Sequence, residues 1–160
     1  MNLVEPANPP SRKAPLVWAI GAAIPWLMLA VGQVVWFVIS PRLPWVHAVA
    51  AAATVLGIVL FVGVVPVWRY RVHRWDIDAK AVYTRAGWLV QERRIAPISR
   101  VQTVDTERGP LQQLLGLANV TVTTASARGA VRIRGLAHDD AAELARLLTE
   151  TTHATPGDAT

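Results

Sequence analysis

The sequence predicts an α+β membrane protein, in which a transmembrane hairpin of two helices precedes a small antiparallel β domain closed by a C-terminal helix. Three observations carry this. Two uncharged apolar runs stand near the N-terminus, Leu16–Ile39 with 24 residues and Val46–Trp68 with 23. Short runs in which apolar and polar side chains alternate follow them, the period-2 pattern of half-buried strands. In the stretch His138–Thr152 the leucines fall instead at helical spacing.

About 20 apolar residues, rising about 1.5 Å each, cross a hydrocarbon core of roughly 30 Å, so either run is long enough to span. The connector Ser40–Trp45 holds Pro41 and Pro44 and is so short that the two helices must be antiparallel neighbours. Arg12 and Lys13 lie at one end of the hairpin, with Arg69, Arg71 and Arg74, while Arg42 stands alone at the other. The excess of Lys and Arg on the cytoplasmic side of membrane proteins then puts both termini in the cytoplasm of a multi-pass protein. Trp18, Trp36, Trp45 and Trp68 fall near the ends of the spans, where an indole buries its ring and keeps its N–H wet, and they are the expected membrane-interface anchors. Gln33 is placed to bond across the hairpin, and Ala53 with Gly57 forms a small-xxx-small pair suited to close helix contact. The expected divisions are a proline-rich disordered tail over residues 1–15, the hairpin over 16–68, a cytoplasmic domain over 69–152 and a second disordered tail over 153–160.

Within the domain the strand candidates are Arg74–Asp78, Ala81–Arg85, Gly87–Arg94, Val101–Glu107, Val120–Thr124 and the stretch carrying Val131 and Ile133. They make six or seven strands. Ser126-Ala127-Arg128-Gly129 reads as a hairpin turn. Pro110–Leu115 reads as a short helix with proline at its first position and Gly116 as its stop. In the terminal helix Asp139, Asp140 and Glu143 crowd the first turn, where the helix dipole favours negative charge, and Leu144, Leu147 and Leu148 supply the apolar face.

Charge and motifs then narrow the function. The formal net charge is +5, but Arg69–Arg134 holds 12 Lys/Arg against 5 Asp/Glu, and Gly135 to the end one Arg against 5 acids. A basic region beside a bilayer suits anionic headgroups. Arg93, Arg94, Arg100, Arg108, Arg128, Arg132 and Arg134 are the candidates for an anionic ligand or lipid, since a guanidinium fork matches phosphate oxygens. No catalytic, cofactor-binding or metal-ligating set emerges. The chain has no cysteine, which excludes disulfides and thiol chemistry. His47, His73, His138 and His153 are scattered without metal-ligand spacing. Asp76 and Asp78 read as exposed carboxylates, and the Asn119-Val120-Thr121 sequon as structural. Nucleic acid is not an expected partner, because no aromatic pattern interleaves with the positive charge.

The chain resembles a known family at specific residues. The hairpin runs straight into Arg74-Trp75-Asp76-Ile77-Asp78. Then come Arg94-Ile95-Ala96-Pro97-Ile98-Ser99-Arg100-Val101-Gln102 and Arg108-Gly109-Pro110-Leu111-Gln112-Gln113-Leu114-Leu115-Gly116-Leu117, followed by Val120–Ser126 and Gly129. These runs look like the bacterial pleckstrin-homology-like (PH-like), membrane-flanked proteins of the YdbS type, a domain of unknown function. The resemblance spans Leu16 to Leu148 and is most specific from Ile98 to Ser126. It implies a PH-like fold, a bent antiparallel β-barrel or sandwich of about seven strands with a C-terminal helix, in a bacterial plasma membrane. It transfers no catalytic residue. Its motif commonly carries a basic residue where Gln113 stands here, which weakens a fixed anion contact there. It also implies a companion membrane protein with PH-like domains, a homo-oligomer being the other assembly to consider. The function expected is therefore that of a non-enzymatic membrane protein presenting its module as an assembly or recognition surface. The alternative is binding of anionic lipid or a small ligand through the arginine-rich face.

Overall fold

Both apolar runs fold as helices. The computed structural model describes residues 5–78, 80–87, 90–126 and 129–154, with the backbone alone at 152–154. It divides into two units, Pro15–Trp68 and the flanks Met1–Ala14 with Arg69–Thr160. In the first unit α1 spans Ala14–Ile39. The second helix begins as α2, Pro44–Ile58, passes through a π-helical turn at Val59–Val64 and ends as α3, Val65–Val72. Both rods are long and apolar enough to cross a membrane. The wide turn has a local cause. Pro66 has no N–H to continue an α-helix, and immediately before it Val65 N–H reaches back five residues to Leu60 O.

The hairpin closes around one polar pair and one glycine. Gln33 Nε2 donates to Thr54 Oγ1 at 2.7 Å and to Ala50 O at 3.3 Å. Gly57 is buried, and a Cβ there would fall inside the Trp26 indole, which itself stacks on Phe61 at 5.7 Å. Of the expected small pair, Gly57 lies in the contact but Ala53 is exposed. Thr54 and Gly57, three apart and so on one helix face, form the packed side instead.

The second unit holds two three-stranded antiparallel sheets. β1 (Arg74–Ile77), β2 (Ala81–Ala86) and β3 (Glu92–Pro97) form one, in that order. β4 (Val101–Glu107), β5 (Leu117–Thr124) and β6 (Val131–Ala137) form the other. Between β4 and β5 sits the short helix α4, Pro110–Leu115, and the chain closes with α5, His138–Ala154. The third strand lies later than the expected Gly87–Arg94, pairing Glu92–Pro97 against Ala81–Ala86. Gly87, at φ 126°, belongs to the turn before it, in a conformation that side chains rarely adopt. Of the turn expected at Ser126–Gly129, Ala127 and Arg128 lie outside the described residues; Gly129 N–H bonds Ser126 O at 3.1 Å.

One core joins the two sheets and the terminal helix. Val82 and Ala96 meet Val120, Val122 and Ile133 of the second sheet, and Leu144 and Leu148 of α5 seal the end. Of the three leucines expected on the apolar face of α5, Leu147 stands apart. It is 37 % exposed while Leu148 is fully buried, and Ala141 takes the third core position.

The N-terminal segment, expected to be disordered, is tied to this unit. Asn8 exchanges backbone hydrogen bonds with Trp75 at 3.0 and 2.9 Å, on the outer edge of β1. Ser11 N–H bonds Gly135 O at 2.8 Å, Lys13 Nζ bonds Leu115 O at 3.3 Å, and Ala14 is fully buried. Prolines that forbid a helix favour the extended backbone that lies along a sheet edge. At the other end α5 continues through Ala154, beyond the expected boundary, and residues 155–160 lie outside the described residues.

The burial of α5 sets a measurable contrast. Leu148→Ala should lower unfolding free energy by about 2–5 kcal/mol, the usual range for a deleted core leucine. Leu147→Ala should lower it by about 1 kcal/mol or less. Urea unfolding of the chain in neutral detergent measures both.

Candidate anion-recognition surface

Strand register decides which arginines share a face. Directly paired residues of antiparallel neighbours project to the same side of a sheet, and successive residues to opposite sides. In the first sheet Trp75, Ile77, Val82, Thr84 and Ala96 turn toward the core, with Val82, Thr84 and Ala96 buried. The opposite, outward face therefore carries Arg74, Arg85 and Arg93. The register pairs Arg74 with Arg85 and Arg85 with Arg93, so three arginines stand in one row across three strands. The next row on that face is Asp76, Tyr83 and Ile95.

Like charges directly opposite each other destabilise a sheet, so the row needs partners. Arg74 Nη1 donates to Tyr70 O at 2.9 Å and His73 O at 2.8 Å, and Arg85 Nε to Val72 O at 3.3 Å. These carbonyls end a helix, where cations are favoured by the dipole. The remaining charge meets Glu5. A single oxygen, Glu5 Oε1, accepts from Arg85 Nη1 at 3.3 Å and Arg93 Nη2 at 3.2 Å. Beside it Asp76 accepts from Ala7 N at 3.4 Å and Asn8 Nδ2 at 3.3 Å.

The second sheet sorts its charges differently. Across its outward face Arg132 pairs with Thr121 and Thr121 with Asp105, so a threonine separates a cation from an acid. Arg132 and Arg134 are both exposed on β6.

The seven arginines singled out from the sequence thus do not converge. Arg93 joins the row. Arg94, one residue on, is a member of the opposite face, ion-paired with Glu92 at 2.6 Å and bonded to Ala130 O at 2.9 Å. Arg108 Nε holds Leu117 O at 3.2 Å, a structural bond, and Arg100 is exposed in a 3-10 turn. Arg128 lies outside the described residues. Gln113 Nε2 donates to Arg108 O at 3.1 Å. The row's other two members, Arg74 and Arg85, are not among those seven. Their alignment with Arg93 follows from the strand register, which the count of arginines does not contain. Of the aromatic anchors, Trp36, Trp45 and Trp68 are exposed on the helices, Trp36 with its ring 4.2 Å from that of His47, and Trp18 is half-buried.

Other polar residues prove structural. Asp78 Oδ1 accepts from Lys80 N–H and Ala81 N–H, each at 2.7 Å, closing the β1–β2 turn. Those two amides hold its carboxyl below the usual range. The sequon residue Asn119 sits where the β5–β6 register shifts, and its Oδ1 accepts from Gly135 N–H at 3.0 Å. At that bulge Gly135 takes φ 73°, and the neighbouring Arg134 N–H is accepted by His73 Nε2 at 3.3 Å. His73 is 1 % exposed. Burial, and then the nearby charges of Arg69, Arg134 and Arg74, push its pKa down to about 4. Among the described residues no three His, Asp or Glu side chains gather as metal ligands.

Comparison with known proteins agrees with this architecture. A family model described as Bacterial PH domain matches residues 14–152. The UPF0699 transmembrane protein YdbS of Bacillus subtilis (strain 168) is 39 % identical over 87 residues. That alignment covers 51 % of this chain and 52 % of the relative, so the chain spans about half the length of the curated protein it matches. No solved structure matches.

The buried histidine generates a pH dependence. The unfolded chain takes up a proton near pH 6.5, whereas the folded chain does so only near pH 4. Between these values the unfolded state binds more protons, so stability falls as pH drops through the window. The loss from this group should be about 2 kcal/mol between pH 7.5 and pH 5. His73→Gln keeps an acceptor for Arg134 N–H and should flatten that part of the profile, as followed by urea midpoints at the two pH values.

Proposed function

This chain belongs to the bacterial PH domain family, and on that premise we propose that it is a non-enzymatic membrane protein whose PH-like module is a recognition surface for assembly with a companion membrane protein. The observation that carries this reading is where the polar chemistry lies. The buried core shared by the two sheets and α5 is mainly aliphatic, with an open groove of about 410 Å³ where β1 meets α5, while charged side chains of the strands stand mainly on the outward faces. A module built this way meets partners with its exterior. The hairpin adds a second surface. Along α1 and α2 runs a groove of about 530 Å³, lined by apolar residues with Gln33, His47 and Thr54 among them. These three side chains are bonded within the hairpin, so what the groove offers a neighbouring helix is an apolar concavity suited to close packing.

The same reading places both termini in the cytoplasm, with Trp18, Trp36, Trp45 and Trp68 at the interfaces. Besides the asymmetry of Lys and Arg, one contact supports it. Segment 5–14, before α1, is hydrogen-bonded to the domain that follows α3. The two must therefore share one side of any bilayer the hairpin crosses, and two crossings satisfy that.

Two experiments test the proposal. Purification of the full chain from its native membranes in mild detergent should recover a stoichiometric membrane companion, and a photocrosslinker at Ala51 in the groove should join to it. Recovery of the isolated chain in every preparation would overturn the assembly role. Because the chain has no cysteine, single-cysteine variants report topology. Ser40→Cys should react with an impermeant maleimide on intact cells and Thr106→Cys only after permeabilisation; the reverse pattern would invert the orientation.

A further inference from the structure

We propose that the row Arg74–Arg85–Arg93 is a binding site for a phosphate-type anion and that Glu5 is its internal occupant, displaced when the anion binds. The inference rests on the reading of the module as a recognition surface and names what one part of that surface takes.

Three features of the row lead there. First, it concentrates more positive charge than its structural bonds use: Arg74 and Arg85 hold helix-end carbonyls, but Arg93 has no such bond among those described. Three guanidiniums in direct cross-strand register repel, whereas the row Asp105–Thr121–Arg132 on the second sheet places no two like charges opposite each other. Second, the row is already built to hold an oxyanion. Arg85 is restrained by Val72 O and its side chain is only 21 % exposed, so its fork is pre-positioned, while Arg93 at 48 % remains open to ligand. Third, the present occupant uses the site incompletely. Both guanidiniums converge on one oxygen of Glu5, whose side chain is 66 % exposed. A carboxylate offers two oxygens in one plane. A phosphate monoester offers three in a tetrahedral fan and up to two negative charges, so each guanidinium can take its own oxygen.

Glu5 lies on a segment whose nearest anchors are the contacts of Ala7 and Asn8 with Asp76 and of Asn8 with Trp75. Its carboxylate can leave the arginines while those contacts stay. An exposed ion pair is weak, so a dianion competes with it readily. The shared chemistry is the terminal phosphate group, carried either by a lipid headgroup or by a free phosphate compound.

The test uses the full chain in neutral-detergent micelles, titrated calorimetrically at fixed pH and salt with inorganic phosphate and, separately, with dihexanoyl phosphatidic acid. Glu5→Gln removes the internal competitor and should tighten binding about three- to tenfold. Arg93→Gln in that background should weaken it at least tenfold, as expected for loss of a charge-assisted bond. Arg132→Gln, on the other sheet, should change it less than twofold. Arg85→Gln should also weaken binding, but Arg85 holds Val72 O as well, so Arg93→Gln with an unchanged melting temperature is the decisive variant. Tighter binding of the lipid than of phosphate assigns the site to a headgroup; comparable binding assigns it to free phosphate compounds. No heat with either probe for Glu5→Gln at millimolar concentration would overturn the proposal, as would equal weakening by Arg93→Gln and Arg132→Gln. Recovery of a companion protein is independent of these titrations, so failure of one does not decide the other.

Discussion

The alternation of side chains along a strand is the constraint from which the domain follows. Val82 and Ala96 face inward because their neighbours face outward, and the same rule sends Arg85 and Arg93 to the exterior. Core and surface are therefore two readings of one register. A shift of one residue in the β2–β3 pairing would exchange them, burying cations and exposing the aliphatic residues that meet α5. The apolar interior thus fixes the arginine row as firmly as any contact made by the arginines themselves.

Where the ladder fails, side chains take over its hydrogen bonds. At the β5–β6 bulge, Gly135 N–H goes to Asn119 and Arg134 N–H to His73, so two amides that would otherwise lack acceptors are satisfied. The imidazole there is kept uncharged by its burial first and then by the cationic neighbours around it. In the hairpin the logic is similar, with Gln33 placing its donors on Thr54 and Ala50 where no water is available to satisfy them.

Most of the fold was legible in the sequence because its signals are periodic and local. Uncharged runs announced the helices, alternation around Val120–Thr124 announced β5, and Pro110 with Gly116 bounded α4 at the residues observed. The site was less legible. Counting arginines found Arg93 but treated Arg94 as its companion, although adjacent strand residues must diverge. It overlooked Arg85, whose membership depends on pairing between strands. The N-terminal segment was hidden for another reason: its attachments at Asn8 and Ser11 are largely backbone hydrogen bonds, which leave no hydrophobic pattern to read. Leu147 was misplaced because a helical period fixes which residues are neighbours, and only the packed partner shows where the buried arc ends.

The docking of that segment has a consequence for the order of assembly. Asn8 and Ser11 emerge early in synthesis, yet their partners Trp75 and Gly135 belong to the first and last strands of the domain. Asn8 has its partner once β1 is made, whereas Ser11 has none until β6 follows. The segment is therefore fastened in two stages, at Asn8 first and at Ser11 later, so one short strap joins strands made far apart in time.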